Sequence, residues 1–155
     1  MPKLPYKERY VPKNPGKYMG PNLSRIWYRS SWEHTMMMTL DNHPDVVAWQ
    51  SEGMNIFYRN PFTQQTKPYV PDFIVVYRDR RTSKLMTEMI EVKPKDEMPG
   101  YQPRLRETVS RYKLAKQVLN QAKWQEAMKF CVRRGWVFRV ACEDELFAMR
   151  RYNAR

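Results

Sequence analysis

The sequence predicts an α/β fold, an α+β arrangement of helices on one mixed sheet, preceded by an extended N-terminal arm. Three observations carry this reading. Strand-type runs flank a short polar turn around residues 79–84. Apolar residues recur at helical spacing both upstream and downstream of that hairpin. Pro and Gly crowd the first 27 residues. The chain has 155 residues and is 42% apolar, enough for one real core. The expected organisation is an extended basic arm over 1–27 and a single domain over 28–155.

In the arm, Pro2, Pro5, Pro12, Pro15, Gly16, Gly20 and Pro21 argue against regular elements, and Lys3, Lys7, Arg9, Lys13, Lys17 and Arg25 make it basic. A helix follows over 30–42. Ser30 and Glu33 have the capping-box spacing, and Trp32, Met36, Met37 and Leu40 form one stripe. Glu33 falls inside that stripe, and a carboxylate on a core-facing side needs a reason. His43-Pro44 ends the helix. Runs at 46–51 and 54–58 read as short strands, and Pro61 and Pro68 mark a loop. The stretch 69–78 reads as one strong strand, 79–84 as a turn and 85–93 as the partner strand, stopped by Pro94. After a Pro-rich loop, residues 104–134 read as helical, with Asn120 a possible break and Gly135 a C-terminal cap. The alternation of Trp136, Phe138, Val140 and Cys142 marks a strand, and 143–149 a last short helix.

Composition excludes several classes. Cys131 and Cys142 are too few for a disulfide-stapled secreted fold. With His34 and His43 they also lack the close paired spacing of a zinc site. No window approaches the apolar length of a membrane span, so no membrane partner is expected. No secretory signal is visible at the N-terminus. The aromatic share of 14% argues against wholesale disorder. The 28 Lys and Arg against 16 Asp and Glu leave a net charge of +12, which points to a polyanionic partner, nucleic acid first.

The chemistry is concentrated in Pro71-Asp72 and Glu91-Val92-Lys93. A turn centred between Arg81 and Thr82 sets 79 against 84 and so places Asp72 opposite Glu91. Paired positions share a face of the sheet. Lys93, two residues from Glu91, shares it too. Two adjacent carboxylates repel when ionised. A divalent cation resolves that repulsion, and Mg²⁺ takes one or two protein carboxylates while keeping waters and phosphate oxygens. Each residue taken singly has an ordinary structural role: Asp72 in a turn, Glu91 and Lys93 on a solvated strand face, Glu33 as the capping partner of Ser30. Their joint spacing is what suggests a site.

At these residues the sequence resembles the PD-(D/E)xK nuclease superfamily, in which a helical Glu, then Pro-Asp, then Glu-x-Lys stand on adjacent elements. Here they are Glu33, Pro71-Asp72 and Glu91-Val92-Lys93. The resemblance extends to the head-completion nucleases of T-even-type tailed phages. It is carried by Lys13-Asn14-Pro15-Gly16-Lys17-Tyr18, Tyr28-Arg29-Ser30-Ser31-Trp32-Glu33, Trp49-Gln50-Ser51-Glu52, Tyr58-Arg59-Asn60-Pro61, Tyr69-Val70-Pro71-Asp72-Phe73 and Ile90-Glu91-Val92-Lys93-Pro94, and by Ala122-Lys123-Trp124 with Phe130-Cys131 and Gly135-Trp136-Val137-Phe138. The core is similar to the TnsA-like transposon-end nucleases.

The resemblance implies a restriction-endonuclease-like core and a Mg²⁺- or Mn²⁺-dependent DNA endonuclease. Asp72, Glu91, the Val92 carbonyl and Glu33 would hold the metal, and Lys93 would complete the catalytic set of Glu33, Asp72, Glu91 and Lys93. It implies double-stranded DNA as substrate and phage portal or neck proteins as partners. The place of action would be the host cytoplasm during assembly, or the virion head and neck. A structural adaptor at the portal vertex, built on a nuclease fold that needs no catalysis, is the alternative. For DNA contact the expected residues are Arg78, Arg80 and Arg81 at the hairpin turn, with Arg104, Arg106, Arg111, Lys113 and Lys116 along the long helix. Lys123 continues the same basic series.

Overall fold

The computed structural model describes residues 3–154. Met1 and Pro2 of the basic arm, and Arg155, lie outside the described residues. The central sheet has four strands in the order β3 (Val46–Ser51), β6 (Phe73–Arg78), β7 (Leu85–Val92) and β8 (Val137–Ala141). β3 and β7 each run antiparallel to β6, and β8 lies parallel to β7. A parallel neighbour requires a crossover, here supplied by α2 (Arg111–Arg134).

The two faces of the sheet are covered by different helices. On one face α1 (Ser31–Asn42) and α3 (Glu143–Asn153) bury Trp32, Met36, Met37, Leu40 and Leu146 against Phe73, Val75, Ile90 and Val92. On the other, α2 packs Trp124, Ala127 and Cys131 against Met89. That second layer also holds Ile56 of β4 (Ile56–Arg59) and Tyr69 of β5 (Thr66–Tyr69), a separate hairpin. The alternation of β7 follows: Ile90 and Val92 face α1, while Met89 and Glu91 face α2.

The α+β reading with a mixed sheet is borne out, with four differences in its parts. The first concerns 1–27, where Pro and Gly suggest no regular element. β1 (Lys3–Arg9) pairs there with β2 (Trp27–Ser30) through an irregular register. Pro5 lies between Lys3 and Glu8, where the register shifts and the ladder is interrupted. Short 3₁₀ turns follow at Pro15–Lys17 and Leu23–Arg25, and Tyr10 and Ile26 are buried in the core.

Second, 69–78 is not one strand. Pro71 offers no N–H to a ladder, so the chain breaks between β5 and β6. Pro68, expected in a loop, sits in β5, an edge strand. Third, the long helix starts at Arg111 rather than Arg104. The Glu107 carboxylate takes the Arg104 N–H and the Tyr101 hydroxyl, closing a local turn. Arg106 adopts a left-handed φ of 67°, Leu105 is 94% exposed, and Ser110 supplies the helix cap through the Lys113 N–H. Arg104 and Arg106 are therefore loop residues. Fourth, Asn120 does not interrupt α2. It is buried and its side-chain amide donates to the Glu97 carbonyl at 2.9 Å. Gly135 ends the helix at φ 69°, as expected.

Asp41, near the end of α1, ties the N-terminal segment to the core. It is fully buried and accepts from the Tyr10 hydroxyl at 2.7 Å and from the backbone N–H groups of Lys13 and Asn14 at 2.7 and 3.0 Å. Asp41→Ala strands these donors without a partner. The expected loss of stability is about 3 kcal/mol, as for several buried donors left unsatisfied, read by urea denaturation. A loss under about 1 kcal/mol would mean that the segment releases without cost to the fold.

Candidate active site

The break at Pro71 builds the site. Continuing the β6–β7 register (Phe73 with Ile90, Ile74 with Met89) brings Asp72 opposite Glu91, as the turn arithmetic predicts. The turn closes as expected, with the Asp79 N–H donating to the Lys84 carbonyl at 2.9 Å. Asp72 Oδ2 accepts the Val92 N–H at 2.8 Å. Glu91 Oε2 accepts the Tyr69 hydroxyl at 2.7 Å and the Asp72 N–H at 3.3 Å. Lys93 Nζ lies 3.7 Å from Glu91 Oε1. Each carboxylate is thus braced by a backbone N–H from the facing stretch of chain, Asp72 by Val92 and Glu91 by Asp72.

Electrostatically the pair is uncomfortable. Burial, then the charge of Glu91, push the Asp72 carboxyl well above the usual carboxylate range. Burial also raises Glu91, opposed by Lys93, the Tyr69 hydroxyl, the Asp72 N–H and Lys123. The Tyr69 phenol is driven far above its ordinary value by burial and by the Glu91 charge, so it remains a hydrogen-bond donor.

Glu33 stands on α1, which packs on the face of the sheet opposite to that of Glu91. It is half-buried at the helix start. Its backbone N–H donates to the Ser30 hydroxyl at 3.1 Å and its Oε2 accepts the Arg29 N–H at 2.8 Å. The capping role is therefore present, shifted by one residue from the usual box. The same carboxyl feels Glu52, Arg29 and Lys93, and burial raises its pKa most. Asp72 in turn feels Glu33.

Two further residues complete the surroundings. Lys123 of α2 feels Lys93, Glu91 and Asp72. Tyr69 is a brace that sequence reasoning treated only as a strand residue. Its signal was available: an aromatic hydroxyl just before Pro-Asp, on the chain segment that meets Glu91. Beside the cluster a polar cleft opens between the N-terminal segment and β3, lined by Tyr18, Pro21, Asn22, Arg25, Ser51 and Glu52.

Four carboxylates, Glu33, Glu52, Asp72 and Glu91, thus share the neighbourhood with the ammonium groups of Lys93 and Lys123. Among the described residues no three His, Cys, Asp or Glu side chains could hold a metal ion by themselves. A Mg²⁺ site needs no such cage, since one or two carboxylates with waters and phosphate oxygens suffice. The excess negative charge and the two mutually repelled, buried carboxyls suit a divalent cation.

The basic residues divide. Arg78, Arg80 and Arg81 lie at the far end of the hairpin, about 20 Å of strand from Asp72 at roughly 3.3 Å per residue. There Arg80 pairs with Asp45 at 2.6 Å and Arg78 donates to the Ser83 carbonyl. Lys113 pairs with Asp96 at 3.2 Å and Glu97 at 3.5 Å. Arg111 is exposed at the start of α2, and Arg104 and Arg106 are in the loop before it. Lys116 stands two helical turns before Lys123 on the same face, so these two lead along α2 to the carboxylates. Among the described residues no helix is long and apolar enough to cross a membrane.

A mixed sheet with helices on both faces, carrying paired carboxylates at a strand break and a lysine two residues on, is the core of a PD-(D/E)xK-type nuclease fold. The chain belongs to the TnsA-like endonuclease family: residues 43–143 match the family model described as the TnsA-like endonuclease N-terminal domain. The matched stretch includes Asp72, Glu91 and Lys93. The chain is also similar to the head completion nuclease of Enterobacteria phage T4, with 31% identity over 151 residues, covering 94% of this chain and 97% of that protein. The resemblance read from the motifs is borne out, and the enzyme class is nuclease.

Proposed function

We propose that this protein is a divalent-metal-dependent DNA endonuclease that acts in phage head completion after DNA packaging. The observation that carries the reading is the braced pair Asp72–Glu91, buried together with Lys93 3.7 Å from Glu91. The name of the similar phage protein supports the biological setting.

Asp72, Glu91 and the Val92 carbonyl would hold Mg²⁺ or Mn²⁺. When bound, the cation neutralises the carboxylates and supplies Lewis-acid stabilisation to the phosphodiester. The chain's own residues do the rest. Lys93 orients the attacking water and stabilises charge on the phosphoryl oxygens. Glu33, whose carboxyl burial holds above the usual carboxylate range, accepts the proton of that water. The water oxygen bonds to phosphorus, one phosphorus–oxygen ester bond breaks, and the leaving oxygen takes a proton. Tyr69 and the Val92 N–H keep the two carboxylates in place. Lys116 and Lys123 track the backbone of double-stranded DNA, so binding weakens steeply with salt. Arg104, Arg106 and Arg111, near the start of α2, extend that track, while Arg78, Arg80 and Arg81 meet DNA only on a longer path around the domain. Portal or neck proteins are the proposed partners. The setting is the host cytoplasm during assembly or the virion head and neck.

Purified protein incubated with supercoiled plasmid and with branched DNA tests this. Cleavage with Mg²⁺ or Mn²⁺ and none with EDTA is the expected result. Intact DNA under every condition would instead favour the adaptor at the portal vertex.

A further inference from the structure

Lys123 makes none of the hydrogen bonds that brace the carboxylates, and its surroundings are unusual for a lysine. Its Nζ lies 5.6 Å from the centre of the Tyr58 ring and 5.8 Å from that of Tyr69. The Tyr69 hydroxyl is the group that donates to Glu91. The lysine and the Glu91 carboxylate therefore meet on one tyrosine. Among the described residues Lys123 makes no ion pair.

The side chain is also well aimed. Asn120, one turn earlier, is buried and bonded to the Glu97 carbonyl. Trp124, the next residue, is buried and packs on Phe138. These anchors fix the rotation of α2, so Lys123 projects over the β4–β5 hairpin onto the face of the sheet that carries Asp72 and Glu91. Lys93 stands on that same face. Burial, then repulsion from Lys93, lowers the pKa of Lys123, against the attraction of Glu91 and Asp72. Glu91 and Asp72 attract this ammonium without pairing to it directly, and the two aromatic rings hold it, so its N–H groups are placed to meet an anionic oxygen.

We propose that Lys123 is the second cation of the catalytic centre, receiving a non-bridging oxygen of the scissile DNA phosphate opposite Lys93. This rests on the nuclease reading above and adds a substrate-binding residue to it. The phosphate would lie between two lysines, with the carboxylates beneath it. Lys116, further along the same helix face, would meet a neighbouring phosphate. Because the charge on the non-bridging oxygens rises in the transition state, Lys123 should act on kcat more than on KM.

The test is steady-state cleavage of plasmid with Mg²⁺ by wild type, Lys123→Met, Lys123→Gln, Lys123→Arg and Lys129→Met. Lys129 is exposed on α2 and pairs with Glu126, so its variant should match wild type. Lys123→Met and Lys123→Gln should lose about 100-fold in kcat, as for one preorganised electrostatic donor, with KM changed only a few-fold. Lys123→Arg should recover part of the loss. The two neutral variants differ in polarity, so a folding defect peculiar to one, seen by thermal melting, leaves the other to decide. Wild-type cleavage with unimpaired Lys123 variants, or a loss confined to KM, overturns the proposal alone. An inactive wild type overturns the nuclease reading and this proposal with it.

Discussion

Asp72→Asn leaves a folded, DNA-binding protein that no longer cuts. The substitution keeps the shape and the oxygen that accepts the Val92 N–H, so the β6–β7 register survives. It removes the negative charge from one of the two carboxylates that face each other across the hairpin. The expected loss of cleavage is on the order of 10³-fold, the upper end of what one preorganised electrostatic group contributes. Stability moves the other way. Burial and Glu91 hold the Asp72 carboxyl well above the ordinary range, so its ionised form disfavours the metal-free fold. That penalty is absent in acid and grows as pH rises from the unfolded value towards the raised native one. At neutral pH without metal, Asp72→Asn should therefore melt at or above the wild-type temperature. Mg²⁺ should raise the wild-type Tm by preferential binding to the folded state and raise that of the variant much less. Cleavage by the variant at wild-type rates with Mg²⁺ present would defeat the assignment of Asp72.

The parts of this site that were legible in the sequence are those fixed by local periodicity. Strand alternation has period two, and the six-residue turn at 79–84 admits one pairing that keeps Phe73, Val75, Ile90 and Val92 on a single face. The opposition of Asp72 and Glu91 follows from that. The stripe of Trp32, Met36, Met37 and Leu40 was legible for the same reason, with period 3.6. What was hidden depends on contacts between distant segments. Pairing of β1 with β2 joins residues some twenty positions apart and is indifferent to the prolines between them. The burial of Asp41 depends on Tyr10, Lys13 and Asn14, which approach from another stretch of chain. α1 packs on the face of Ile90 and Val92, opposite to that of Glu91, so the influence of Glu33 on Asp72 was not visible from its helical phase. Lys123 reads in sequence as one more base on a basic helix. Only the fixed rotation of α2, set by Asn120 and Trp124, separates it from Lys129.

Glu33→Gln separates the two roles that this residue holds at once. The amide oxygen of glutamine can go on accepting the Arg29 N–H that Glu33 Oε2 accepts at 2.8 Å, and the Ser30 hydroxyl still caps the Glu33 N–H. Glutamine also serves at this position of a capping box. A purely capping role thus predicts unchanged stability and unchanged cleavage. The active-site role predicts a different outcome, because glutamine cannot accept a proton from the attacking water. Cleavage should then fall by about 10²-fold, within the range of a general base. The fold should be retained or slightly stabilised, since burial and the Glu52 charge both disfavour the ionised carboxyl. The pH profile adds an independent reading. If Glu33 is the base, the acid limb of the wild-type profile lies above the ordinary glutamate range, in the direction of its shift, and disappears in the variant. Melting temperature, plasmid cleavage and the profile together decide the matter. A variant that cuts at the wild-type rate would leave Glu33 as a helix cap beside an active site built from Asp72, Glu91 and Lys93 alone.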